Sequence, residues 1–245
     1  MKILLAPSET KQSGGEGVFD IKTLFLPQIT PMREELFVEY KKLLDEGDIQ
    51  KLSKLFGLKK ESDIQEAIAE FQSQKTMLAI RRYKGVAFDY LDYESLDELS
   101  KEYLHHNLLI FSNLFGVVKA NDLICYYKLK QGEPITSLEV DKVYKKALKE
   151  PLDEYLANED ILDLRAKYYE KFYKPSKSYT TLKFLKNGKV VSHWAKAYRG
   201  MVLRELALHK IQSIDEFLKL DFKSLAIKEI IEKKAYREIV FDIFE

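Results

Sequence analysis

Apolar runs of strand length alternate along this chain with longer stretches of helical periodicity, and that alternation narrows its fold more than any other feature. Residues 2–6 read as a buried strand, and Ile161–Leu164 as another. Residues 108–111 fit either the end of a helix or a strand. Residues 125–130 alternate in polarity as a strand does, closed by Gly132 and Pro134. Residues 179–185 and 189–193 flank Asn187 and Gly188, a pair suited to the positive φ angles of a tight hairpin turn. Thr30 as N-cap and Pro31 in the first turn start a helix that ends near Asp45, before Gly47. Capping boxes at Ser62 to Gln65, Ser95 to Glu98 and Ser213 to Glu216 start others, the first followed by Ile64, Ala67, Ile68 and Phe71 on one face. Residues 138–156 read as a helix interrupted near Pro151, and residues 195–209 as a helix with Met201, Leu203, Leu206 and Leu208 inward or near it. Strands interspersed with helices predict an α/β (α+β) fold, a mixed β-sheet flanked by helices. No break in composition divides the chain, so residues 1–245 are read as a single domain.

Composition excludes several classes. Hydrophobic residues make up 46% and aromatics 12% of the 245 residues, too many for a disordered chain. Cys125 is the one cysteine, so no disulfide forms within the chain, and a zinc finger or iron–sulfur cluster is disfavoured. Set between Ile124 and Tyr126, it reads as a buried, inert thiol rather than a peroxide sensor. No apolar run approaches a signal-peptide core or the roughly 18 residues of a membrane span. With the lone cysteine, this reads as a cytoplasmic protein with no membrane partner. His105, His106, His193 and His209 contain no i, i+4 pair, so no metal site is expected. No cofactor is expected either. Ser13-Gly14-Gly15-Glu16-Gly17 lacks the Lys-Ser/Thr of a phosphate loop, and its glutamate would repel phosphate. No feature specifies an oligomeric state.

The formal net charge of +1 conceals a segregation. Residues 163–210 hold 12 Lys and Arg against three Asp and Glu, while both flanks are acidic. Aromatic residues are interleaved there: Tyr168, Tyr169, Phe172, Tyr173, Tyr179, Phe184, Trp194 and Tyr198. Phosphate contact and base stacking call for this mixture, although a solvated lysine-rich face would carry it too.

Three clusters carry more specific chemistry. Ala6-Pro7-Ser8-Glu9-Thr10-Lys11 follows the first strand, where open sheets bind ligands, and offers Ser8, Glu9 and Lys11 as pocket residues. Residues 111–119 have the outline of a helix–hairpin–helix, whose backbone amides would bind a phosphate; Asn113 stands at its first glycine position. Ser192-His193-Trp194-Ala195-Lys196-Ala197-Tyr198-Arg199-Gly200 places Lys196 and Arg199 on one helix face, with Arg204 slightly off it. Gly200 inside that helix suggests close approach to a backbone or a ligand.

The order of these clusters resembles the YaaA family of bacterial peroxide-stress proteins over nearly the whole chain. The opening residues 4–11 resemble that family's Pro-Ser-Glu-Gly-Lys start, with Thr10 in place of Gly. Residues 83–88 resemble its Phe-x-Gly-x-Val-Tyr block, with Phe88 for Tyr. Residues 114–124 and then Tyr127-Lys128-Leu129 resemble its long Gly-Leu-Tyr-Gly-Val-Leu-Arg-Pro-x-Asp then Tyr-Arg-Leu block, with Lys119 and Lys128 for the two Arg and Ala120 for Pro. Asp163-Leu164-Arg165-Ala166 resembles an Asp-Leu-Arg-Ser block, and residues 195–200 keep every fixed position of Ala-Lys-x-x-Arg-Gly.

The resemblance implies a cytosolic protein of the peroxide response that limits iron- and peroxide-linked DNA damage. It implies binding of double-stranded or branched DNA through a positive cleft and a helix–hairpin–helix. Gly116 and Lys119 map to the hairpin, and Lys84, Lys128, Arg165, Lys196 and Arg199 to the family's basic positions; Arg204 joins them from the charge pattern. Arg-to-Lys changes keep charge and lose bidentate geometry. The expected function is therefore non-enzymatic DNA binding without a cofactor. The rival is an enzyme acting on nucleic acid or a nucleotide, with Lys196 as nucleophile facing Asp122 in a pocket shared with Ser8, Glu9 and Lys11.

Overall fold

The structure, a computed structural model, describes residues 1–165, 167–191 and 194–244. β1 (Lys2–Leu5) is followed by the two-residue β2 (Thr10–Lys11) and then by α1 (Thr30–Glu46), α2 (Ile49–Phe56) and α3 (Glu61–Gln72). β3 (Thr76–Leu78), the single turn α4 (Ala79–Arg82), β4 (Tyr83–Lys84), α5 (Val86–Leu91) and α6 (Glu98–Asn107) lead to β5 (Leu108–Ser112), β6 (Gly116–Lys119) and β7 (Leu123–Cys125). After α7 (Val140–Leu156) come β8 (Ile161–Leu164), β9 (Tyr179–Lys186), β10 (Lys189–Val190), α8 (Ala195–His209) and α9 (Ile214–Phe217). A ribbon of β11 (Leu225–Glu232) and β12 (Tyr236–Ile243) closes the chain.

The main sheet has eight strands, ordered β11-β12-β9-β8-β1-β5-β6, with β10 paired to β9. β12, β9, β8, β1 and β5 run parallel; β11, β6 and β10 are antiparallel to their neighbours. The mixed α/β sheet flanked by helices is thus as expected. β1 and β5 are apolar runs apart from Lys2 and Ser112 at their ends, and β8 is apolar but for Asp163 within it, as strands covered on both faces must largely be. That resolves residues 108–111 as strand. β9 differs: Thr180, Leu182 and Phe184 are buried, while Tyr179, Thr181 and Lys183 are only partly so. Its alternation leaves one face of the sheet open beside β8.

The chain leaves β1 toward β5 and leaves β8 toward β9. The loops after these two adjacent strands diverge, and a crevice opens at the carboxyl edge between them. α8 crosses beside it and packs on α5. A Cβ at Gly200 would collide with the Ala87 carbonyl, so Gly200 serves close backbone approach.

Several local expectations change. α1 has Ile29 as N-cap, not Thr30, whose buried Oγ1 finds no partner among the described residues. The first capping box does not form: α3 starts at Glu61 and Ser62 turns to Asp63. α6 is capped by Asp97, whose carboxylate accepts from Ser100 N–H; Ser95 sits in the preceding turn. Ser213 does cap α9. α7 continues through Pro151 without interruption. The strand expected over 125–130 ends at Cys125. The hairpin at Asn187 (φ 52) and Gly188 (φ 73) forms as read, with a β10 shorter than expected. Ala166, Ser192 and His193 lie outside the described residues.

The helix–hairpin–helix is the main correction. Residues 111–119 are the antiparallel β5–β6 hairpin, with Phe111 opposite Val117. Asn113 does not take positive φ; Gly116 does, at 75°. Leu114, Phe115 and Gly116 are buried, and Tyr144 packs directly on the Gly116 backbone. Buried with apolar partners, this segment satisfies its backbone N–H and C=O groups by pairing across the two strands.

Candidate functional site

The loop after β1 folds back at once. Thr10 N–H donates to Ser8 Oγ (3.3 Å), and Thr10 and Lys11 pair with Lys84 and Tyr83. Gly85 takes φ 126° and presses on Ser8; a Cβ there would lie 2.8 Å from Ser8 Oγ. Only glycine meets both demands. The Glu9 carbonyl accepts from Lys128 Nζ (3.2 Å), and Glu9 Oε1 accepts from Gln131 N–H (3.2 Å). These contacts hold the loop open over the crevice.

Two adjoining cavities result. The first, about 340 Å³, lies over the end of β1. Its walls are Pro7, Phe88, Leu164 and Tyr169, with Ser8, Glu9, Thr10 and Gln131 supplying polar groups and Lys196 and Arg199 entering from α8. The second is a groove of about 700 Å³ along β8, β9 and β12. Arg165, Lys167, Lys171, Lys174, Lys183 and Arg199 line it, against Asp163, Glu170 and Glu238. Tyr179 and Tyr236, stacked with centroids 5.4 Å apart, form part of its floor. Arg199 belongs to both cavities. Its guanidinium has no hydrogen bond to any described protein group, while Asp163 and Glu170 offset part of the burial that pulls its pKa down.

Arg165, the other arginine here, is fully engaged. Its guanidinium grips both Asp163 oxygens (2.9 and 2.6 Å), donates to the Tyr169 carbonyl (3.1 Å) and stacks 4.3 Å from the Phe111 centroid. It shapes the crevice rather than offering charge to it. Lys11 is buried behind the cavity and does not line it. Its amine donates to the Ser8 carbonyl (3.1 Å) and lies 4.0 Å from the Tyr127 ring centroid. Burial first, then repulsion by Lys128, lowers its pKa to about 7, with Glu9 pulling the other way. Tyr127, Tyr83 and Ser112 join through their hydroxyls at 3.0 and 2.9 Å.

The expected residues therefore separate. Ser8, Glu9, Lys196 and Arg199 share the first cavity; Arg165 lines the groove; Lys128 braces Glu9 from outside. Lys84 turns to a neighbouring hollow with Asp89, Asp92 and Glu94. Gly116 is buried. Lys119 lies toward the opposite end of the sheet, its amine over Phe25 and Tyr155. Arg204 donates to the Leu91 and Asp92 carbonyls (2.9 and 3.0 Å) and ties α8 to the end of α5. Asp122 does not face Lys196: it accepts from Phe25 and Lys119 N–H (both 3.0 Å), beside the buried Arg33. The pairing that the enzyme reading required is absent. Sequence reasoning missed Phe88, Gln131 and Tyr169 in the cavity, and Thr181 and Tyr236 in the groove. Lys167, Lys171 and Lys174 were signalled by the basic segment without being singled out.

Cys125 is buried, and desolvation raises its thiol pKa to about 12, as expected of an inert thiol. No described helix is long and apolar enough to cross a membrane.

Among known proteins, the chain matches over residues 1–230 a family model described as peroxide stress protein YaaA. It is 43% identical to an uncharacterized protein of Campylobacter jejuni over all of both chains. It is 33% identical to a UPF0246 protein of Corynebacterium glutamicum over 85% of each chain. A UPF0246 protein of Fusobacterium nucleatum is 27% identical over 96% of this chain and 97% of its own.

Proposed function

The chain belongs to the YaaA family of peroxide stress proteins, and we propose that within that response it binds duplex or branched DNA in the cytoplasm through the groove beside β8 and β9. The observation that carries this reading is the guanidinium of Arg199, which has no hydrogen bond to a described residue, at a groove rimmed by exposed Lys167, Lys171 and Lys174. Cations with few internal partners are available to phosphates. Stacked Tyr179 and Tyr236 on the floor add aromatic surface of the kind that unpaired bases stack on. Occupied DNA would be shielded from iron- and peroxide-driven damage. Recognition rests on phosphates, and sequence readout is small. Fluorescence anisotropy of a labelled duplex between about 50 and 200 mM salt tests it. Affinity falls steeply across that range; binding insensitive to salt defeats the reading.

A further inference from the structure

We propose that the cavity over β1 holds a single nucleotide, and that Glu9 selects bases carrying an exocyclic amine over thymine. This deepens the DNA-binding reading and rests on it. The cavity's 340 Å³ suits one nucleoside monophosphate and is too small for a base pair.

Its chemistry is sorted in the way such a unit requires. Lys196 and Arg199 supply positive charge from α8, and Arg199 continues into the groove, so a phosphate held there stays connected to a strand lying along β9. Buried Phe88 and Tyr169 contribute aromatic walls for a base. From a separate wall, Glu9 presents a carboxylate whose Oε1 is already fixed by Gln131 N–H, while Oε2 takes no hydrogen bond from a described residue. A carboxylate only accepts. It pairs with the amines of cytosine, adenine and guanine and meets unfavourable carbonyls on both sides of the thymine N3–H. Gly85 keeps the entrance clear, since a side chain there would push Ser8 aside.

The nucleotide has two sources: one turned out of a duplex, at an unstacking cost that a bulge removes, or one free in solution. Calorimetry with dCMP and dTMP tests the free source. Anisotropy of duplexes carrying a bulged dC, a bulged dT, a bulged abasic site or no bulge tests the DNA source. A preference for dC over dT of about tenfold is expected in at least one arm, and it collapses in Glu9→Gln. A matching gap between bulged dC and the bulged abasic site follows if DNA is the source. Glu9 is exposed, and retained cooperative unfolding of Glu9→Gln shows that the variant is folded. Salt-dependent binding of the plain duplex with no preference in either arm overturns this inference and leaves the DNA reading standing. Binding of dCMP without any duplex binding does the reverse. Failure of both removes both.

Discussion

The β5–β6 turn and the mouth of the crevice both gather glycine, a small polar residue and nearby cations, yet they have opposite fates. At the turn the polar groups are claimed from within, except Asn113 Oδ1, which is buried with no hydrogen-bond partner among the described residues. Arg33, fully buried, donates to the Phe115, Val117 and Leu26 carbonyls (2.9, 2.6 and 3.2 Å), and Phe115 N–H donates to Ser112 Oγ (3.0 Å). At the crevice, Arg199 and the lysines after β8 have few internal partners. A cation's use is decided by what the fold has already placed against it. Arg165 and Arg199 make the point within one groove: the first is spent on Asp163, the second is not.

The strongest way to break this contrast is at the turn. Arg33→Leu leaves its carbonyls unpaired in the core and should lower unfolding free energy by about 3–5 kcal/mol, read from urea denaturation. DNA affinity of the folded fraction should not change. A large loss of affinity with little loss of stability would return the turn to the binding surface.

Lys11 is an intermediate case, a cation at the crevice that burial has withdrawn. Its folded pKa of about 7 lies below its unfolded value of 10.5. Between those values the unfolded chain binds more protons, so stability rises with pH across that window. Below pH 7 both states are protonated and the cost of burying the charge is borne in full; above pH 10.5 it vanishes. Each unit of depression is worth about 1.4 kcal/mol. Lys11→Met should therefore flatten the rise between pH 7 and 10, and stabilise most at pH 6. Urea midpoints across that range check it, and a wild-type curve that falls with pH through the window defeats it.

At the crevice the effect moves from stability to binding. Lys196→Ala with Arg199→Ala should weaken duplex binding by about tenfold or more and reduce the salt slope by about 2. Unfolding free energy should change by less than about 1 kcal/mol, since neither side chain has a hydrogen bond to a described residue. An unchanged slope would place the phosphates elsewhere.

How much of this was legible follows from the same contrast. β1, β8, the Asn187-Gly188 turn and α8 were readable because each rests on local pattern: an apolar run, a turn pair, a helical period. Gly200 was readable as a close approach because a glycine inside a helix needs a reason. The fate of Lys119, Arg165 and Arg204 was not, since their partners are placed by the fold: Phe25, the Tyr169 carbonyl and the Leu91 carbonyl. The hairpin at 111–119 was misread because a Gly-containing polar turn looks alike between helices and between strands. What distinguishes them, the burial of both faces by α7 and Arg33, is tertiary. The cavity residues Phe88, Gln131 and Tyr169 come from three separate segments with no shared local signature.

Arg204 gives the smallest and most discriminating test. It is three positions from Met201 and five from Arg199 on the same helix, and charge pattern alone assigns it to the same DNA-binding stripe. In the fold it closes the α8–α5 contact through two carbonyls and a 3.6 Å approach to Asp92. Arg204→Ala should cost about 1 kcal/mol of stability, the loss of partly exposed charge-assisted hydrogen bonds. Its salt slope for duplex binding should match the wild type, because no phosphate contact is lost. If the slope drops by about 1 as it would for a phosphate-contacting cation, then helix position, and not engagement by carbonyls, governs which cations meet DNA.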